Sequence, residues 1–156
     1  MIWKALLIAM TMAAPAPMAL ACTEPANATA LENEMIGWIN AQRKAKGLNT
    51  LSKSAALAKA AQGHACDMAD RGYFSHQRWG GPDLGQRLKS NGYRFRAAAE
   101  NIAKMGSADV GRAAGVWRKS SGHWANILKP GVSEIGMGLA TAGGQYYWVM
   151  NVGKSR

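Results

Sequence analysis

Apolar side chains return every three or four residues in several stretches of this chain, which is the spacing of one face of a helix. The first stretch opens on the capping-box pattern Thr29-Ala30-Leu31-Glu32, and Gly47 has the position of a C-terminal cap. The second begins at Ser52 or Ser54 and runs through Arg71. Two long helices are therefore predicted in the first half of the chain.

The middle of the chain is expected to hold two further helices. Asp83 can cap a short helix from Leu84 to Ser90. Ser107 is in position to cap a third long helix, which should end before Gly122.

Strand-like alternation is concentrated toward the end of the sequence. A strand is expected from residue 93 to 103, ending near Glu100. The runs 133–142 and 145–152 flank Gly143-Gly144, and this pattern is typical of a hairpin. Helices first and an antiparallel pair last predict an α+β layered domain.

The beginning of the chain has the three parts of a secretory signal peptide. Lys4 precedes the apolar run 5–12, and Ala19-Leu20-Ala21 stands before Cys22 as a small-x-small cleavage site. The run is too short to span a bilayer. We therefore predict a signal peptide over residues 1–21 and export to the periplasm or the extracellular space.

Two cysteines, Cys22 and Cys66, remain in the exported part. An oxidising compartment favours one disulfide between them. The alternative is a lipid anchor on Cys22 with a buried thiol at Cys66, and the sequence alone leaves both open.

The formal net charge of +10 changes the expected partners. Such an excess predicts attraction to anionic cell-envelope components, although it could equally serve solubility. No nucleic-acid recognition motif is found, and an exported chain seldom meets nucleic acid, so that class is not expected.

Three polar residues stand in separate segments beside turn residues. His76, Glu100 and His123 are 24 and 23 residues apart, so only the folded chain could bring them together. A polar cleft requires such an assembly. We take these three as the candidate cleft residues, with no catalytic role assigned firmly to any of them.

The order of the motifs resembles the bacterial branch of the CAP superfamily, which includes cysteine-rich secretory, venom-antigen and pathogenesis-related proteins. The matching segments are Tyr73-Phe74-Ser75-His76, Arg87-Leu88, Glu100-Asn101-Ile102-Ala103 and Gly122-His123-x-x-Asn126-Ile127-Leu128. The resemblance implies a three-layer α-β-α sandwich with a central antiparallel sheet over residues 31–153, after a short N-terminal segment 22–30. It also implies a large cleft.

Two histidines and two glutamates line the cleft in that family. The match carries three of them onto His76, Glu100 and His123. The second glutamate would fall where this chain reads Arg118-Lys119-Ser120, so Ser120 is the candidate for its place.

The remaining trio has two chemical interpretations. Two imidazoles and a carboxylate could hold a divalent metal such as zinc, with His76 and His123 as its ligands, although no cofactor is required. The trio could instead be a hydrogen-bond network in which Glu100 pairs with an arginine, such as Arg94 or Arg96. His64, on the apolar stripe of its helix, is expected to be a hydrogen-bonded core histidine.

Ligand contacts are expected from the tryptophans next to the cleft histidines, Trp79 and Trp124, together with Ser120. Trp38, Trp117 and Trp148 are expected in the core.

These features favour a non-enzymatic, monomeric binding domain for a small apolar or lipid-like molecule or an envelope component. The alternatives are a metal-assisted hydrolase of peptides or wall polymers, and a scaffold that binds a protein partner.

Overall fold

A computed structural model describes residues 22–156, so the predicted signal peptide lies outside the described residues. The helices are α1 (Ala28–Ala45), α2 (Ala55–Arg71), α3 (Leu84–Ser90), α4 (Val110–Lys119) and α5 (Ser121–Ile127). The strands are β1 (Ser52–Lys53), β2 (Phe95–Met105), β3 (Glu134–Ala142) and β4 (Gln145–Ser155).

The four strands form one sheet in the order β1-β3-β4-β2. The hairpin β3–β4 turns at Gly143-Gly144, as predicted, and β4 also pairs antiparallel with β2. Only the two-residue β1 joins the sheet in parallel. The central sheet is therefore antiparallel apart from one short edge strand, and β2 is the opposite edge.

Helices cover both faces of this sheet, which confirms the three-layer α-β-α sandwich. Ile135, Met137 and Leu139 alternate along β3 and pack in one core with Met35 and Ile39 of α1. The positions between them, Gly136 and Gly138, face α2, which packs with side chains of β2, β3 and β4 in a second apolar cluster. The alternation of strand positions thus gives the sheet apolar packing on both faces.

Local capping explains where several helices begin and end. The Ser54 hydroxyl accepts from the Leu57 N–H, and Gly72 ends α2 with a left-handed φ of 67°. Asp83 and Gln86 form a reciprocal capping box at the start of α3. The predicted caps Ser54 and Asp83 are confirmed because each depends only on neighbours in the sequence.

The expected starts of two other helices are wrong. α1 begins at Ala28, before the proposed capping box, because the Ala28 N–H donates to the carbonyl of Pro25 at 2.9 Å. Asp109 rather than Ser107 caps α4, with its carboxylate accepting from the Arg112 N–H at 2.7 Å. A carboxylate is the stronger acceptor and also complements the positive end of the helix dipole.

Two other boundaries differ from the expectation. β2 does not end near Glu100 but continues to Met105, because β4 supplies partners along this whole length, up to Tyr146 opposite Met105. Gly122 lies inside α5, so the His123 motif is helical rather than part of a loop.

The disulfide between Cys22 and Cys66 is present and ties the N-terminal segment to α2. Thr23 adds a bridge to Thr141 of β3 in the same region. The Cys22 sulfur is used in the disulfide and is not available for a thioether-linked lipid. Among the described residues, no helix has both the length and the apolar character needed to cross a membrane.

α2 lies unusually close to β3 because two positions of the strand are glycine. A Cβ atom at Gly136 would overlap the backbone of Leu57 and Ala58, and one at Gly138 would overlap the backbone of Ala61 and Gln62. A backbone cannot move aside as the end of a flexible side chain can, so the contact requires glycine.

Gly136→Ala is predicted to lower the free energy of unfolding by about 3 kcal/mol or more, at the upper end of overpacking costs. Urea denaturation measures this difference. Gly115→Ala is the matched control, because no heavy atom lies within 4 Å of a Cβ built there. In the α4 helix, that change should be neutral or stabilising by up to about 1 kcal/mol. Equal effects of the two substitutions would contradict the close contact.

Candidate functional site

The candidate site is built around Glu100, on the edge strand β2. Glu100 pairs in register with Asn151 of β4, which in turn pairs with Gly136 of β3. This row lies on the sheet face that α2 covers, and the Glu100 residue is only 6% exposed. A buried carboxylate requires partners for both oxygens.

Both oxygens of the Glu100 carboxylate have partners, and we call this group of side chains the Glu100 cluster. Oε1 accepts from Nδ1 of His76 at 2.9 Å and lies 3.8 Å from Nε2 of His64. Oε2 accepts from the guanidinium of Arg87 at 2.7 Å. With its amide nitrogen toward the site, Asn151 also donates to Oε2 at 3.1 Å and accepts from the Ala61 N–H at 3.2 Å. Glu100 therefore joins two helices, a loop and two strands.

Glu100 pairs with an arginine, as the hydrogen-bond network interpretation expects, but the partner is neither Arg94 nor Arg96. Both are exposed, whereas Arg87 reaches the carboxylate from α3 as a buried ion pair. Arg87 also donates through Nη1 to the carbonyls of His76 and Pro82, each at 2.9 Å. The guanidinium of Arg87 thus holds the Glu100 carboxylate and both ends of the loop from His76 to Pro82.

The His76 ring is hydrogen-bonded through Nδ1, whereas much of its side chain is exposed to solvent. Its side chain is 57% exposed, although Nδ1 donates to buried Glu100. In a neutral imidazole protonated at Nδ1, Nε2 carries the free lone pair. The arrangement presents Nε2 as an oriented acceptor, base or metal ligand.

His64 is a buried, hydrogen-bonded histidine, as predicted, but it also belongs to the Glu100 cluster. Its Nε2 must donate to the carbonyl of Ser75 at 3.0 Å, because a carbonyl can only accept. Burial lowers the pKa of His64, against the opposing effect of Glu100. The neutral ring therefore supports the loop that carries His76. The pattern of apolar residues on α2 gave no sign of this second contact.

His123 approaches the same strand edge from the other face of the sheet. Its backbone is fixed twice, because its N–H donates to the Ser120 hydroxyl at 3.4 Å and its carbonyl accepts from Asn101 at 2.9 Å. The Asn126 amide ties α5 to β2 by donating to the carbonyl of Glu100 and to Asn101. Burial and then the charge of His76 lower the pKa of His123. The two rings are thus electrostatically coupled.

The three predicted ligand contacts have different surroundings. Trp79 is 98% exposed at the tip of a turn closed by a bond from the Gly81 N–H to the carbonyl of Arg78. Trp124 is partly buried and packs against Trp38, with ring centroids 6.2 Å apart. Ser120 caps α5. Only Trp79 presents a large unpacked surface, and the ligand roles of all three remain predictions.

The polar groups of the site bear on the predicted metal ligands. No group of three or more His, Cys, Asp or Glu side chains in residues 22–156 is arranged to hold a metal. Glu100 is already engaged by His76 and Arg87, whereas Nδ1 of His123 is buried with no partner among the described residues. The metal-ligand roles of His76 and His123 stay predictions, and Glu100 orients one of these two rings.

The sandwich agrees with comparisons to known proteins. The model of the cysteine-rich secretory protein family, CAP, matches residues 37–152, and the chain belongs to this family. YkwD of Bacillus subtilis is 36% identical over 122 residues, which cover 76% of this chain and 46% of YkwD. The chain therefore spans less than half the length of that relative.

Two solved structures share the fold. An extracellular SCP-domain protein of Bacillus anthracis superposes with a TM-score of 0.74 at 28% identity, over 81% of this chain and 41% of its own. An outer surface protein of Borrelia burgdorferi gives a TM-score of 0.78 at 20% identity, over 87% of this chain and 100% of its own.

The lowered pKa values of His64 and His123 predict a loss of stability in acid. Their ordinary pKa is 6.5, so below that pH the unfolded chain binds protons that the folded chain does not. The contribution of these two residues to the free energy of unfolding is therefore complete above pH 6.5 and declines as the pH falls below it. His64→Gln, which can still donate to the Ser75 carbonyl, should lose less stability than the parent between pH 7.5 and pH 5.5 in urea titrations.

Glu32 supplies a control of opposite sign. Burial and the charge of Glu24 raise the pKa of Glu32 from 4.5 to about 7. The folded chain then binds the extra proton, so Glu32→Gln should lose more stability than the parent over the same pH range. Parallel pH profiles for the parent and both variants would contradict this electrostatic account.

Proposed function

We propose that this CAP domain is an exported, non-enzymatic binding module for a small apolar or lipid-like molecule of the cell envelope. The leader-like residues 1–21 and the disulfide support export. So do the descriptions of two structural relatives as extracellular and as an outer surface protein.

One observation carries the proposal for the ligand. Two exposed aromatic side chains flank the His76 that Glu100 fixes, with Phe74 47% and Trp79 98% exposed. An open depression of about 650 Å³ is lined by Gln77, Arg78, Trp79 and Gly80. This volume is within the range of small-molecule sites, about 300–1,000 Å³. An amphipathic ligand would place its apolar part on the aromatic rings and its polar group at His76.

The turn that carries Trp79 is preorganised for such a contact. Gln77 donates from its side chain to the carbonyl of Gly81 at 2.8 Å, and Gly80 adopts a left-handed φ of 68°. Arg87 holds the loop at the carbonyls of His76 and Pro82. Binding then orders few additional groups, and this lowers its entropic cost.

A divalent cation such as zinc would enter this proposal only through the imidazoles of His76 and His123. When bound, it would supply a Lewis-acidic contact for an anionic head group. The aromatic surface does not depend on it.

Delipidated parent protein incubated with an envelope lipid extract should retain a bound molecule in native mass spectrometry. Trp79→Ala should weaken retention about tenfold or more, because a buried aromatic side chain contributes about 1.5–3 kcal/mol. His76→Ala should weaken it as well. Val116→Ala is the matched control, since Val116 is 48% exposed on α4 and does not line the depression, so this variant should bind like the parent.

Absence of uptake by the parent protein would overturn the proposal. Equal uptake by the parent, Trp79→Ala and His76→Ala would place any ligand elsewhere and would also overturn it. Repeating the assay after chelation separates retention through a metal from direct contact.

The oriented imidazole favours hydrolysis as the second candidate function. A histidine held by a buried carboxylate at Nδ1 can act as a general base through Nε2. In this alternative, turnover of a peptide or wall-polymer substrate requires both His76 and Glu100.

A further inference from the structure

A second depression lies at the end of the sheet near the last residues of β4 and is strongly basic. Its volume is about 400 Å³, and its lining residues are Lys89, Arg94, Phe95 and Arg156. Three of the four carry a positive charge, and none of the four is acidic. None of them belongs to the Glu100 cluster.

The fold brings these cations together from three separate parts of the chain. Lys89 lies in the last turn of α3, Arg94 in the turn that enters β2, and Arg156 directly after β4. The Arg156 N–H donates to the carbonyl of Arg94 at 3.0 Å, and its Nε donates to the carbonyl of Phe95 at 3.1 Å. The position of Arg156 is therefore fixed while its terminal nitrogens stay available.

No carboxylate side chain in residues 22–156 forms an ion pair with the three cations of this depression. The side chains of Lys89 and Arg94 have neither a hydrogen bond nor an ion pair with any residue from 22 to 156. Glu134 of the adjacent strand accepts from the Tyr93 hydroxyl at 2.7 Å and from the Ser155 N–H at 3.1 Å. That carboxylate is thus engaged by other partners.

We propose that this depression binds a phosphate group. Guanidinium groups match the oxygens of phosphate through paired donors, and an ammonium adds a point charge. The Phe95 ring, which stacks on Tyr93 at a centroid distance of 6.5 Å, gives the depression one apolar wall. A phosphate ester with an apolar neighbour fits this combination, whether it comes from a lipid headgroup or from a free phosphorylated molecule.

The proposal is independent of the function proposed above, since it uses none of the same side chains. Net charge alone would attract any anion to this protein over its whole surface. The proposal instead requires that the three cations around the depression act together.

The test compares two double variants that remove the same charge. Lys89→Gln with Arg94→Gln empties the depression of two cations, and Arg112→Gln with Lys119→Gln removes two exposed cations from α4. The probes are pyrophosphate, measured by titration calorimetry, and vesicles of phosphatidylglycerol or phosphatidylcholine, measured by sedimentation, all at 0.15 M salt. Thermal unfolding checks that both variants fold.

The first double variant should bind the phosphate probe about tenfold or more weakly, because it loses two charge-assisted contacts to the phosphate oxygens. The α4 variant should change affinity less than about twofold, as expected for screened surface charges. Selective loss toward pyrophosphate supports a free phosphorylated ligand, and selective loss only toward phosphatidylglycerol vesicles supports a lipid headgroup. Equal losses in the two variants, or no binding by the parent to either anionic probe, would overturn the proposal.

Discussion

The buried carboxylate of Glu100 is the interaction on which the candidate site depends. It receives hydrogen bonds from a loop histidine, a helix arginine and a strand asparagine. Removing one partner of a buried ion pair typically costs about 3–5 kcal/mol, because the other charge stays desolvated. The loop carrying His76 and Trp79 is therefore held by the same group that orients the imidazole, so the position of the exposed surface depends on the buried charge.

That carboxylate can reach its partners only because the helix layer lies close to the sheet. Glu100, Asn151 and Gly136 form one row across three strands, and α2 rests directly on the glycine end of this row. The amide of Asn151 then spans from the Ala61 N–H to the carboxylate. A larger residue at Gly136 would move α2 away and would stretch these contacts. The close packing of α2 on the sheet is therefore required for the contacts that hold the Glu100 carboxylate.

Features governed by neighbouring residues could be predicted from the sequence, and features governed by tertiary contacts could not. Ser54 and Asp83 cap their helices as expected, because capping involves only the next three residues. The pairing of Glu100 with Arg87 was missed, since no local pattern shows which cation α3 turns toward β2. The role of Asn151 was also missed, because its contact with Glu100 depends on the pairing of β2 with β4. The predicted convergence of Glu100 with His76 came from the resemblance of motifs, whereas the orientation of the imidazole required coordinates.

The most direct test of this account is the protonation of the His76 ring in solution. Long-range ¹⁵N–¹H correlation spectra of histidine-labelled protein at pH 7.5 distinguish a proton on Nδ1 from one on Nε2. The account predicts a proton on Nδ1, donated to Glu100. A ring protonated at Nε2 alone would contradict the central role assigned to the carboxylate.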